Sequence, residues 1–193
     1  MINHKLKCIF VEIPKTGSTS IRSIIGEPKA PHLTILQLQN QVTKQQFEEY
    51  FKFAFVRNPW DRELSLYKYI TRKKNSWHPY HKRFCQFGNF SAFLKGMKQF
   101  PKDNSTRVRK ATQLDFLTGS KGEVIVDFIG RFENLQEDFN FVCDKTGIPQ
   151  QKLPHKNKTN HKHYTKYYDH ETREIIAEKY SKEIEYFGYE FGE

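Results

Sequence analysis

A run of apolar residues that ends in a lysine and then breaks into glycine and hydroxyls leaves a chain few choices, and residues 10–20 are such a run: Phe10-Val-Glu-Ile-Pro-Lys-Thr-Gly-Ser-Thr-Ser20. Cys8, Ile9, Phe10, Val11 and Ile13 read as a buried strand that delivers Lys15 to the edge of a sheet. Gly17 then lets the backbone turn its N–H groups inward, and a helix opening near Ile21 adds partial positive charge behind them. Together these make a cradle for a phosphate or sulfate group. The nucleotide-triphosphatase loop needs a glycine four residues before Gly-Lys-Ser/Thr, whereas here Lys15 precedes the glycine and Pro14 precedes both, which points away from ATP hydrolysis. Alone, the segment reads equally as a strand-to-helix turn capped by Ser18 or Thr19.

A second strand, turn and helix follows at Phe53-Ala-Phe-Val-Arg57-Asn-Pro-Trp-Asp-Arg-Glu-Leu-Ser65-Leu-Tyr67. Asn58 suits an N-cap, Pro59 the first helical position, and Asp61 with Glu63 the positive end of the helix. Arg57 therefore stands at the carboxyl end of a buried strand, where open α/β sheets bind their ligands. On its own it reads also as a surface arginine paired with Asp61.

Taken together, the two segments resemble the sulfotransferase superfamily. There a Pro-Lys-Thr-Gly-Ser/Thr-Ser loop cradles the 5′-phosphosulfate of 3′-phosphoadenosine 5′-phosphosulfate (PAPS; product PAP), and an Arg-(Asn/Asp)-Pro strand end with a downstream helical serine binds the 3′-phosphate. By position the resemblance implies cofactor contacts from Lys15, Thr16, Gly17, Ser18, Thr19 and Ser20 at the first site and from Arg57 and Ser65 at the second. Phe-Val-Arg-Asn-Pro-Trp-Asp-Arg62, Asp127-Phe-Ile-Gly-Arg-Phe-Glu133 and the closing Phe-Gly-Tyr-Glu-Phe191 look like the branch of Golgi carbohydrate sulfotransferases and small bacterial relatives, and the likeness runs from about residue 8 to residue 191. The implied fold is a three-layer α/β/α, P-loop-like domain with a mainly parallel central sheet. Strands alternating with helices, each motif at a strand's C-terminal end, point the same way.

The whole of residues 1–193 is expected to be one catalytic domain, with 37% hydrophobic residues and 17 phenylalanines to fill its core. A net charge of +10 favours polyanionic partners: nucleic acid, anionic lipid, a sulfated glycan or a highly anionic nucleotide. No stretch approaches the ~20 apolar residues of a membrane helix, and no signal-peptide core precedes the first strand. Three cysteines far apart (Cys8, Cys85, Cys143) support neither a disulfide framework nor a zinc knuckle. The expectation is a cytoplasmic, bacterial-type enzyme or a trimmed catalytic domain.

Between the motifs, helical patterns are expected over 19–25, 34–50, 61–74 and 90–99, the last opened by Asn89 or Ser91. Val124 to Ile129 reads as a buried strand, Asn134 to Thr146 as a helix on Leu135, Phe139 and Val142, and a final helix begun by Asp169 as one stripe of Ile176, Tyr180, Ile184 and Phe187.

In-line sulfuryl transfer asks for charge stabilisation and a base. Lys15 reaches the bridging oxygen and steadies the departing phosphate. Among eight histidines His32 is the first choice for the base, because a catalytic histidine stands between the lysine loop and the arginine strand in heparan sulfate 2-O-sulfotransferases; the plainer alternative is a cap for the helix at Thr34. His78 and His81, in an aromatic stretch suited to stacking on sugars, come next. Neither that pair nor His161 with His163 has further ligands at useful spacing, so no metal is expected. A late basic loop closes over the nucleotide in the family, which implies contacts from Lys158 and Thr159, although an exposed solubilising loop reads nearly as well. Arg107, Arg109 and Lys110 offer charge to an acidic acceptor, and Arg131 with Glu133 stands at a strand end in a role as much structural as catalytic. The acceptor is expected to be a carbohydrate or polysaccharide, with charge favouring an acidic one. Rival classes are a P-loop-type kinase, for which Asp127 would have to hold Mg²⁺ although it reads as lying within a strand, and a basic nucleic-acid-binding protein, which leaves both phosphate motifs unused.

Overall fold

Strand β2 (Cys8–Val11) has no solvent-exposed residue, which is why it reads as an unbroken apolar run rather than an alternating one. The computed structural model describes residues 1–26, 32–96, 112–154 and 162–193. They form two compact units, 1–57 with 112–154 and 58–96 with 162–193.

The first unit is α/β. Its four-stranded mixed sheet runs β1 (Ile2–Asn3), β2, β3 (Phe51–Val56), β4 (Phe128–Arg131), with β1 antiparallel to β2 and the other neighbours parallel. Phe10 pairs with Phe53 across β2 and β3, and their rings stack at 4.9 Å. Cys8, Phe10, Phe53 and Phe55 make one face of the sheet, covered by Ile21 and Ile25 of α1 (Ser18–Ile25) and by Phe139 and Val142 of a later helix, Leu135–Thr146. Phenylalanine fills this core, as the composition led us to expect.

Between β2 and β3 the pattern at 34–50 predicts one helix, and the chain forms two, α2 (Ile35–Gln39) and α3 (Lys44–Glu49). Each begins at a reciprocal capping box, Thr34 with Gln37 and Thr43 with Gln46, so Thr43 starts a new helix where the periodicity alone would continue the old one. The strand expected at 124–129 is displaced to Phe128–Arg131. Before it, α7 (Gln113–Leu117) is followed by a turn in which Thr118 and Val124 form an isolated antiparallel bridge. Asp127 therefore precedes β4 instead of lying within a strand, and its carboxylate accepts from the Lys52 backbone at 2.7 Å and pairs with Lys52 Nζ at 3.0 Å. Gly130 is required by packing: a Cβ there would stand 2.5 Å from Phe55 Cε1. Residues Leu135–Thr146 form α8, as expected.

The second unit is helical. Its α4 (Pro59–Ile70) is capped by Asn58, whose side chain accepts from Trp60 N at 3.2 Å, with Pro59 at the first helical position as its sequence predicts. The helix stops at Ile70 rather than running to residue 74, because buried Asn75 turns its side-chain amide back onto the Tyr69 carbonyl at 2.6 Å and a 3₁₀ turn, Lys73–Asn75, follows. After α5 (His81–Cys85), Asn89 rather than Ser91 opens α6 (Phe90–Gly96) by accepting from Ala92 N; residues 97–99 of the expected helix lie outside the described residues. Tyr67, Phe84, Phe90 and Phe93 pack ring on ring, Phe84 to Phe93 at 4.4 Å. The final helix is two, α9 (His170–Lys179) begun by Asp169 and α10 (Ser181–Phe187). They break at Tyr180, whose φ is −113° and whose buried hydroxyl donates to buried Glu63 at 2.6 Å. Among the described residues no helix is long and apolar enough to cross a membrane.

Candidate active site

Because β2 and β3 run parallel in register, the loop after Val11 and the residue after Val56 emerge at the same end of the sheet. In the loop Thr16 is fully buried and its hydroxyl donates to the Ile13 carbonyl at 2.9 Å, closing the turn from below. Lys15 and Gly17 both take left-handed conformations, φ 74° and 84°. Gly17 is the N-cap of α1 and no side chain caps that end, so the reading of Ser18 or Thr19 as the cap is corrected: left-handed Gly17 occupies the capping position. Ser18 and Ser20 are buried, Lys15 and Thr19 half-buried.

Arg57 is 7% exposed, and its guanidinium bridges two parts of the unit. Nη1 donates to the Lys15 carbonyl at 3.1 Å, and the guanidinium carbon stands 3.9 Å from the centre of the Phe132 ring. Phe132 and Leu135 also abut the loop, since a Cβ on Gly17 would meet Leu135 Cδ2 at 2.9 Å and Phe132 Cδ2 at 3.4 Å.

His32 joins the same cluster. Its φ is 63° and its Nδ1 lies 3.1 Å from the Glu12 carbonyl oxygen. A carbonyl oxygen only accepts, so in the neutral ring Nδ1 carries the proton and Nε2 keeps its lone pair. Burial lowers the His32 pKa from the usual histidine value, helped by the positive charges of Arg22 and Lys15, while the bond to Glu12 opposes the shift. The Glu12 carboxylate is fully buried with Arg22 Nε at 3.4 Å. Capping is not His32's task, because Thr34 caps α2 through its own hydroxyl.

A family model described as "Sulfotransferase family" matches residues 1–190. The chain belongs to the sulfotransferase family. An uncharacterised protein of Archaeoglobus fulgidus is 33% identical over 114 residues, covering 59% of this chain and 82% of that one. Carbohydrate sulfotransferase 14 of Danio rerio is 21% identical over 214 residues, which cover 95% of this chain and 58% of that protein. The chain thus spans little more than half the length of that relative. No solved structure matches it.

Lys15, Thr16, Gly17, Ser18, Thr19, Ser20, His32 and Arg57 belong to one unit, whereas Ser65, His78 and His81 belong to the other, Ser65 buried within α4. His78 has the opposite tautomer to His32: its Nδ1 accepts from the Tyr80 N–H at 3.2 Å, so the proton of the neutral ring sits on Nε2. Burial and neighbouring His81 lower its pKa. His81 stands 3.8 Å from Cys85 Sγ. Arg131 donates its backbone N–H to the Asp138 carboxylate at 2.5 Å, a structural bond at the end of β4. Lys158, Thr159, Arg107, Arg109 and Lys110 lie outside the described residues. Reading the chain in one dimension missed Glu12 and Phe132. Glu12 carries a signal, a lone acid in an apolar run; Phe132 carries none beyond the motif in which it stands.

Proposed function

We propose that this sulfotransferase moves the sulfuryl group of PAPS to a hydroxyl of a carbohydrate acceptor, with His32 as general base. The observation that carries the reading is the gathering of Lys15, Arg57 and His32 at the C-terminal ends of two neighbouring parallel strands in a chain of this family. The same strand arrangement and loop support a P-loop-like, three-layer fold. Bound PAPS would supply the activated sulfuryl group.

The residues fit such a donor. The turn at Gly17 and the start of α1 offer backbone N–H groups and a partial positive charge to an anion, and Lys15 adds a full charge beside them. Ser18, Thr19 and Ser20 add hydroxyl donors along the same turn. Arg57, followed by the helix that bears Ser65, is the residue for the 3′-phosphate. Nε2 of His32 takes the proton of the acceptor hydroxyl, and a lowered pKa keeps that nitrogen unprotonated at neutral pH. Likeness to carbohydrate sulfotransferase 14 of Danio rerio supports a carbohydrate acceptor, and the net charge of +10 an acidic one.

Calorimetric titration with PAP, using ATP and ADP with and without Mg²⁺ as controls, tests the donor. Metal-independent binding that requires the 3′-phosphate and disappears in Arg57→Ala and Lys15→Ala is the expected result; binding of ATP alone, and only with Mg²⁺, overturns it. Sulfate transfer to a panel of neutral and acidic polysaccharides tests the acceptor. His32→Ala is expected to keep PAP binding and lose ~10²-fold to 10⁴-fold in turnover, and unchanged turnover removes His32 from the base role.

A further inference from the structure

Gln113 opens α7 directly after its cap, Thr112, and nothing in the local sequence distinguishes it from a surface glutamine. It is fully buried. A buried primary amide is tolerated only when both its halves are bonded, and here both go to one residue. The Gln113 Oε1 accepts the Arg57 N–H at 2.8 Å, and its Nε2 donates to the Arg57 carbonyl at 2.8 Å. The side chain thereby does for Arg57 what a neighbouring strand does for a residue inside a sheet, just past the last residue of β3.

We propose that Gln113 is a positioning residue for Arg57, and that Phe132 completes the same device by holding the guanidinium face. The inference rests on the reading of Arg57 as the residue that receives the 3′-phosphate. An arginine recognises phosphate through a planar fork of donors, so its discrimination depends on where that plane lies and how little it must reorganise. The Gln113 amide fixes the Arg57 backbone from which the side chain springs, and among the described residues two contacts orient the guanidinium plane: the Phe132 ring 3.9 Å from the guanidinium carbon, and the Lys15 carbonyl 3.1 Å from Nη1. Gln113 and Phe132 lie outside both phosphate motifs, and the Lys15 carbonyl ties Arg57 to the loop that holds the other end of the nucleotide.

The test is calorimetric titration of the full chain with adenosine 3′,5′-bisphosphate and, separately, adenosine 5′-phosphate, the readout being the ratio of the two affinities. Gln113→Met keeps the volume and removes both bonds; Phe132→Leu leaves the amide clamp intact and removes the aromatic face. Gln113→Met is expected to lower the ratio about tenfold and Phe132→Leu roughly three- to tenfold, each weakening adenosine 3′,5′-bisphosphate more than adenosine 5′-phosphate. A purely structural role would weaken both nucleotides equally, and that result overturns the proposal. So does a wild-type ratio in both variants while Arg57→Ala abolishes it. If Gln113→Met does not fold, Phe132→Leu decides the proposal by the same ratio. A wild-type ratio in Arg57→Ala itself instead overturns the 3′-phosphate reading, and the inference falls with its premise.

Discussion

His32 Nδ1 lies 3.1 Å from the carbonyl oxygen of Glu12, twenty residues earlier in the chain, and this one bond selects the tautomer in which Nε2 is the basic nitrogen. Burial, with Arg22 and Lys15 nearby, lowers the pKa of the ring. The acid limb of kcat/KM should therefore fall below the ordinary histidine value of about 6.5. Histidine-selective NMR titration of His32 should give the same midpoint as the rate profile.

The same shift has a consequence for stability. Between the folded pKa and about 6.5 the unfolded chain binds a proton that the folded chain does not, so stability falls as pH drops through that window and loses this dependence below it. His32→Gln, whose side-chain amide can still donate to Glu12, should flatten that part of the curve in urea melts taken from pH 7.5 to 5.

Gly17→Ala places a side chain at φ 84°, with its Cβ 2.9 Å from Leu135 Cδ2. The conformation alone costs ~1–2 kcal/mol, and Leu135 must rotate away. The variant should melt lower than the wild type and also lose most of the thermal stabilisation produced by adenosine 3′,5′-bisphosphate, because the turn that aims the N–H groups is the part disturbed.

Gly130→Ala tests the sheet instead of the site. Its Cβ would meet Phe55 Cε1 at 2.5 Å and Asp138 Cβ at 3.0 Å, contacts between a strand and two elements that cannot both yield. Overpacking of this kind costs ~1–3 kcal/mol. The chemical-denaturation midpoint should fall, and a double variant with Phe55→Leu should recover part of the loss.

The Glu12 to Arg22 pair should respond asymmetrically. The Glu12 side chain is fully buried, whereas Arg22 keeps 20% of its side-chain surface exposed. Arg22→Leu takes one cation away from a fully buried carboxylate and should cost up to ~3 kcal/mol, the low end of the range for breaking a buried pair, because Arg22 is partly hydrated and the Met1 ammonium also acts on Glu12. Glu12→Gln should cost less, since the arginine can turn toward water; equal losses in equilibrium urea melts would contradict this account.

What was legible in the chain was local. An apolar run of four to six residues followed by Pro-Lys-Thr-Gly or Arg-Asn-Pro specifies a strand, a turn and a capped helix through bonds between near neighbours, and both β2 to α1 and β3 to α4 form so. Lys15 and Arg57 stand beside those turns and were legible for the same reason, whereas His32 was singled out by the resemblance, from its place between the two motifs. Periodicity failed where one polar side chain outweighed it. Thr43 restarts a helix, Asn75 helps close α4, and Tyr180 bonds to Glu63 at a break the apolar stripe passes straight through.

The sequence by itself determined that two strand-to-helix turns would form, with Lys15 in one and Arg57 at the start of the other, because a turn's geometry depends on residues within three or four positions. Only the tertiary structure decided how those cations are held. The bonds responsible join Lys15 to Arg57 across 42 positions and Arg57 to Gln113 across 56. Neither partner's residue type is unusual for its own neighbourhood; the pairing exists because parallel β2 and β3 bring their ends together and burial leaves a polar group no water to bond.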